Sequence, residues 1–351
     1  MAKPGDLGPV LAPIQEKYKL PGMIAAILEG EHITAIGAVG VRKIGAPDPM
    51  TPHDVIHIGS CTKAMTATMI ARLVEEKKLG WDTPLAQALP RLAPFMNADA
   101  AKITVAQLLN HTAGLSGNVA WADYDRTHKP LPEQRFNLAK DVLSKPPATP
   151  PGQTYLYSNA GYVVLGLIVE QIRAVPWETL IRDELFVPLG MRSAGLGAPG
   201  TPGMIDQPWG HTGSPPNLKP VHFDNPPCLG PAGCVHCTIE DWARFVSLHM
   251  QGLQGQAHLI SAETFAALHT PAPGQGYAGG WFGSNPGWAD GIAYNHAGSN
   301  TSWYCTVWMA PKKNFAVLVV TNSGQGDAGK ACDDANTALV DYHLKPKAAG
   351  K

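Results

Sequence analysis

A chain of 351 residues with 44% hydrophobic and 16% charged content is long enough to bury a sizeable core, as two domains or one large one. Its formal net charge of −1, with no basic block, argues against nucleic acid or a membrane surface as partner. The longest apolar runs, MIAAIL (23–28) and FAVLVV (315–320), have strand length and are too short to span a bilayer. The opening MAKPGDLGPV lacks the apolar stretch of a secretory leader. The sequence as it stands therefore reads as cytoplasmic, although a periplasmic or secreted protein with its leader removed would look the same.

In chain order, DLGPVLAPIQEKYKL (6–20) is helix-like, and GMIAAILEG (22–30) and HITAIGAVG (32–40) read as two strands of a hairpin turning at Glu31. From residue 60 to about 270 the signals are helical. TKAMTATMIARLVEEKKLG (62–80) ends in a Gly stop, VAQLLNHTAGL (105–115) follows, and AGYVVLGLIVEQIR (160–173) is strongly apolar. Pro/Gly-rich loops such as KPPATPPG (145–152) and GAPGTPGM (197–204) interrupt this region. Strand patterns return in IAYNHAG (292–298), SWYCTVWMAP (302–311) and NFAVLVVTN (314–322), before a closing helix over 328–343. The expected fold is α+β. A five-stranded antiparallel sheet flanked by the terminal helices (1–59 and 275–351) carries a large inserted, mainly helical domain (60–274), with a cleft between the two.

The stretch IGSCTKAMTATMI (58–70) carries the first chemical signal. Ser60 looks like a helix N-cap, but the position three residues on, where Glu or Gln would close a capping box, holds Lys63. That positive charge at the positive end of the helix dipole is unfavourable for capping. It suits nucleophile activation instead, because residues i and i+3 share a helix face and the field of the helix N-terminus lowers a lysine pKa. At this point either Ser60 or Cys61 could be the nucleophile.

A second signal is Tyr157-Ser158-Asn159, in a loop that closes into the apolar helix. Tyr157 could relay a proton, and Asn159 could bind a substrate carbonyl or hold Lys63. Histidine, a small residue and glycine recur three times. His111-Thr112-Ala113-Gly114 terminates a helix and reads as structural, whereas His211-Thr212-Gly213 lies among prolines with nothing to fix it. His296-Ala297-Gly298 ends a strand, where a sheet edge offers an ordered line of N–H groups to a substrate. Of six cysteines, Cys228, Cys234 and Cys237 cluster near His222 and His236. No second ligand pair follows at zinc spacing, so these read as small buried hydrophobes, and no metal or other cofactor is expected. Trp121, Trp209, Trp281 and Trp303 are candidates for the cleft or, equally, for core anchoring.

Together, Ser60-Cys61-Thr62-Lys63, Tyr157-Ser158-Asn159 and His296-Ala297-Gly298 resemble the SxxK, YxN and KTG/HxG boxes of the class C β-lactamase-related serine hydrolases. That group includes D-Ala-D-Ala carboxypeptidases, D-aminopeptidases and family VIII carboxylesterases. The flanks LLNHTAGL (108–115), PPGQTYLYSNAGYVVLG (150–166), PAGCVHCTIEDWARF (231–245) and HAGSNTSWYCTVWMAP (296–311) extend the resemblance over most of the chain. It implies Ser60 as the acylated nucleophile, Lys63 as its principal base and Tyr157 sharing the proton transfer. It also implies Asn159 as a substrate contact, with the N–H groups of Ser60 and Ser299 as the oxyanion hole next to His296 and Gly298. Cys61 takes the variable position of the box and is expected to be packed. Where lactamases carry Lys and Thr to bind a carboxylate, this chain has His296 and Ala297. The change points to a small uncharged ester or amide, hydrolysed as a carboxylesterase does. The alternatives are a β-lactamase, a D-Ala-D-Ala carboxypeptidase or D-aminopeptidase, and a non-catalytic binding homologue.

Overall fold

The computed structural model describes residues 3–345 apart from Asn118 and Ala257. The extreme ends of the expected sheet domain, 1–2 and 346–351, lie outside the described residues. Thirteen strands are present among them: β1 (Gly5–Asp6), β2 (Gly22–Glu29), β3 (His32–Gly40), β4 (Val55–His57), β5 (Gly195–Leu196), β6 (Gly210–Thr212), β7 (Lys219–Val221), β8 (Val235–Thr238), β9 (Tyr277–Ala278), β10 (Trp281–Ser284), β11 (Ala293–Ser299), β12 (Tyr304–Ala310) and β13 (Phe315–Thr321). The long helices are α1 (Gly8–Tyr18), α2 (Thr62–Glu75), α3 (Leu131–Leu143), α4 (Asn159–Arg173), α5 (Ile239–Leu253) and α6 (Ala328–Leu344).

The main sheet has eight strands in the order β1-β3-β2-β13-β12-β11-β10-β9. The five expected strands form its contiguous middle, and every pairing among them is antiparallel. The expectation of a five-stranded antiparallel sheet is nonetheless corrected. β1 adds in parallel to β3, making the sheet mixed, and β10 and β9 extend the other edge. Two-residue strands carry no periodicity, and WFGS (281–284) has no alternating pattern, so neither registers as a strand in sequence.

β2 and β13 are continuous apolar runs because both faces of the sheet are covered. Met23, Ala25 and Ile27 pack with Leu11, Val317, Val319, Ala331 and Leu339 under the terminal helices. Ile24, Ala26 and Leu28 face the other way, into a larger core shared with Ile70, Val163, Leu165 and Phe245 of the helical layer. Strand periodicity thus sends alternate residues of one segment into two different cores.

Within the helical region the small sheet β4-β8-β5 lies directly before the α2 turn, with His57 paired to His236. The expected helix over 105–115 covers only Val105–Leu109, because His111 takes a positive φ of 55°. No helix among the described residues is long and apolar enough to cross a membrane.

Candidate active site

Ser60 does not cap a helix. It sits in the 3-10 turn Gly59–Cys61 between β4 and α2, and Cys61 occupies the cap position without a side-chain bond. The turn needs glycine at 59, where φ is 48° and a Cβ would lie 2.3 Å from the Ser299 nitrogen. Gly298 is equally constrained, since a Cβ there would lie 2.1 Å from the Ile58 carbonyl oxygen. The Ser60 turn and the end of β11 are therefore in direct backbone contact.

Lys63 lies in the first turn of α2 and is fully buried. Its Nζ is 3.1 Å from Ser60 Oγ, 2.7 Å from Asn159 Oδ1 and 2.7 Å from the Ala232 carbonyl oxygen. All three neighbours are neutral. Burial, unopposed by any carboxylate contact, pushes the amine down to about 7. A neutral amine has two N–H groups and one lone pair. If the N–H groups are given to Asn159 and Ala232, the lone pair is left for the Ser60 hydroxyl.

Asn159 is delivered by α4, whose N-cap Ser158 accepts from the Gly161 N–H at 3.2 Å. The capping reading and the site reading of this box therefore hold together, on adjacent residues. Tyr157 lies just outside the cap, close enough to Ser60 for that side chain to lower its pKa, with its ring centroid 4.7 Å from Lys63 Nζ. Burial raises the phenol pKa more than the Ser60 contact lowers it, so the group stays protonated at neutral pH.

His296 is brought to the same place but is almost fully buried. Its Nε2 is 3.2 Å from the Tyr277 hydroxyl, and its Nδ1 is 3.8 Å from the Cys61 sulfur. Cys61 is buried against Cys305, the sulfurs 3.7 Å apart. Gly298 and Ser299 follow on β11, paired with Cys305 and Tyr304. Trp281 and Trp303 are core residues, whereas Trp209 is half-buried with Lys43 Nζ 3.7 Å from its ring centroid.

A family profile described as Beta-lactamase matches residues 9–341. The chain belongs to the beta-lactamase family. Among curated proteins it is 28% identical over 327 residues to a penicillin-binding protein 4 of Amycolatopsis lactamdurans, covering 89% of this chain and 83% of that protein. It is 26% identical over 360 residues to the unguisins hydrolase ungD' of Aspergillus campestris, covering 97% of this chain but 65% of that one. Among solved structures, the octameric penicillin-binding protein homologue from Pyrococcus abyssi superposes with a TM-score of 0.78 at 23% identity, over 95% of this chain and 77% of that one. The beta-lactamase/transpeptidase-like fold follows from that superposition.

Several residues of this beta-lactamase-family site are not apparent in the sequence. His111, set aside as structural, accepts from the Ser158 N–H at 3.2 Å through Nδ1, and its ring lies 4.3 Å from that of Tyr157 and 4.7 Å from that of Tyr277. Burial, then the nearby charges of Lys63 and His296, keep it neutral. Its signal was the LLNHTAGL phrase. His211, expected to lack any fixed geometry, is a fully buried member of β6. Its Nδ1 is 2.7 Å from the Asn322 carbonyl oxygen, and its Nε2 accepts from the Ile44 N–H at 3.1 Å. Cys228, Cys234 and Cys237 are buried.

Proposed function

We propose that the protein is a serine hydrolase that forms an acyl-enzyme on Ser60 and hydrolyses a small uncharged ester or amide. The observation that carries this reading is the Lys63 amine, buried among neutral oxygens and drawn down to about 7, with Ser60 Oγ at 3.1 Å. Lys63 takes the Ser60 proton as Oγ attacks the substrate carbonyl carbon, and the carbonyl π electrons move onto oxygen. The N–H groups of Ser60 and Ser299 receive that oxyanion. As the intermediate collapses, the C–O or C–N bond breaks and the leaving group takes a proton. Tyr157, protonated and close to Ser60, hands it over and is reloaded from the Lys63 ammonium. Water then attacks the acyl ester by the reverse proton route.

An uncharged substrate is favoured by the third box. His296 and Ala297 stand where a carboxylate-binding Lys and Thr would be, and His296 turns its nitrogens toward Tyr277 and Cys61. The test offers three substrates to wild type and Ser60→Ala: a short-chain nitrophenyl ester, a chromogenic cephalosporin and a D-Ala-D-Ala peptide. Burst kinetics and intact mass are read for each. Ester turnover with an acyl adduct, both absent in S60A, is expected. Turnover by S60A at the wild-type rate removes Ser60 as nucleophile. Faster cephalosporin than ester hydrolysis reverses the substrate assignment, and no adduct with any of the three leaves a binding homologue.

A further inference from the structure

An oxyanion hole works only if its two donors keep a fixed separation. Here the donors sit on segments distant in sequence, the Gly59–Cys61 turn and the end of β11. Behind their contact runs a buried polar chain. The Gly59 N–H donates to His57 Nδ1 at 3.0 Å. His57 Nε2 lies 2.7 Å from Asp224 Oδ1, and the same oxygen accepts from Asn300 Nδ2 at 3.0 Å. Asn300 Oδ1 in turn accepts from the N–H groups of Ser302 and Trp303 at 3.2 and 3.0 Å and from the Ser302 hydroxyl at 3.0 Å.

His57 is fully buried, Asn300 nearly so, and the Asp224 side chain is 8% exposed. Burial pushes the Asp224 carboxyl up, but His57 facing it at 2.7 Å and the bond from Asn300 outweigh it and hold it below the ordinary range. Asp224 comes from the loop after β7, outside all three sequence boxes. One side of it holds His57, two residues before Gly59, and the other holds Asn300, the residue after Ser299. The same loop continues to Ala232, whose carbonyl receives Lys63, and is tied to itself where Asn225 Nδ2 donates to the Gly233 oxygen at 2.8 Å.

We propose that Asp224 is a positioning residue that sets the spacing of the Ser60 and Ser299 N–H groups, acting through His57 on one side and Asn300 on the other. The inference rests on the acyl-enzyme reading above. It is tested in the full chain with D224A, D224N, N300A and D224A/N300A beside wild type and S60A. Active sites are counted by intact mass after exhaustive acylation. The measurements are kcat, KM, their pH profiles, and inhibition by an aryl boronic acid, whose tetrahedral adduct places an oxygen in the hole.

D224A is expected to lower kcat per active site by about 10²-fold with little change in KM, comparable to losing one oxyanion donor. Boronate affinity should fall by a similar factor, and the acid limb should stay in place, because Lys63 is untouched. D224N keeps Oδ1 as an acceptor and should stay within about 5-fold of wild type. The double variant should be no worse than D224A, since both changes cut one link. A folded D224A with wild-type kcat and boronate affinity overturns the proposal, as does a loss accompanied by a displaced acid limb. If D224A does not fold, N300A decides, by losing kcat and boronate affinity together or by losing neither. A wild type that forms no acyl-enzyme, or an active S60A, instead sinks the reading of Ser60 and is recognisable as that separate failure.

Discussion

Two cations are completely buried in the helical layer, and their surroundings are opposite. Arg135 on α3 directs its guanidinium at two carboxylates. It donates to Glu170 through Nε at 3.2 Å and through Nη2, and to Glu178 at 2.8 and 2.9 Å. Burial opposes its charge, but the carboxylates more than compensate, and its pKa is raised. Lys63 on α2 meets a hydroxyl, an amide oxygen and a backbone carbonyl. With no carboxylate in contact among the described residues, the same burial draws it down to about 7. What separates a cation held charged from an amine drawn toward neutrality is therefore whether a carboxylate is supplied, not depth of burial.

On the proposed mechanism, the largest expected effect comes from removing the Lys63 amine. Lys63→Met should cut the acylation rate by about 10³-fold or more, and Lys63→Arg should not restore it, because a guanidinium stays protonated. The nitrophenolate burst reads both. Next, the counter-charge missing at Lys63 can be installed. Asn159→Asp places a carboxylate on Nζ and favours the ammonium. The wild-type rate should rise with pH through about 7, as the amine becomes neutral. In N159D that limb should move up by about 2 units, with about a 10²-fold loss at pH 7. An unmoved limb would mean that Lys63 is not the base.

The converse change is Arg135→Met, which strands the buried Glu170 and the half-buried Glu178. It should cost about 3–5 kcal/mol in urea denaturation while leaving kcat per active site within about 3-fold. A smaller effect separates a third kind of buried group. His249 and His269 face each other at 3.2 Å, and His249 lies 3.0 Å from Thr68 on α2. Burial lowers both, His269 to about 4, so the fold holds them neutral while the unfolded chain takes up protons below its ordinary histidine pKa. Stability should fall as pH drops from about 6.5 toward 4, by about 1.4 kcal/mol per unit for each histidine. His269→Gln should flatten that slope by one such increment in urea midpoints.

The elements legible in sequence are those that local physics specifies. The apolar runs of β2 and β13, the hairpin near Glu31 and the closing helix all lie where their periodicity puts them. Less legible were elements set by distant partners. β1, β9 and β10 exist because a neighbouring strand pairs with them. At the site, SxxK was visible as an i, i+3 pair, but alone it read as a cap with an awkward lysine. His57, Asp224 and Asn300 are far apart in sequence, and none belongs to a repeated or spaced pattern.

By itself, then, the sequence determined which side chains were available: a serine and lysine on one helical face, a tyrosine and asparagine before an apolar helix, and a glycine at the end of a strand. Whether the lysine stays charged at neutral pH is decided only in three dimensions. Asn159 and the Ala232 carbonyl reach Lys63 from 96 and 169 residues away, and no carboxylate among the described residues makes that contact. A pKa measures the free energy of a charge in its surroundings, and those surroundings are assembled by tertiary packing.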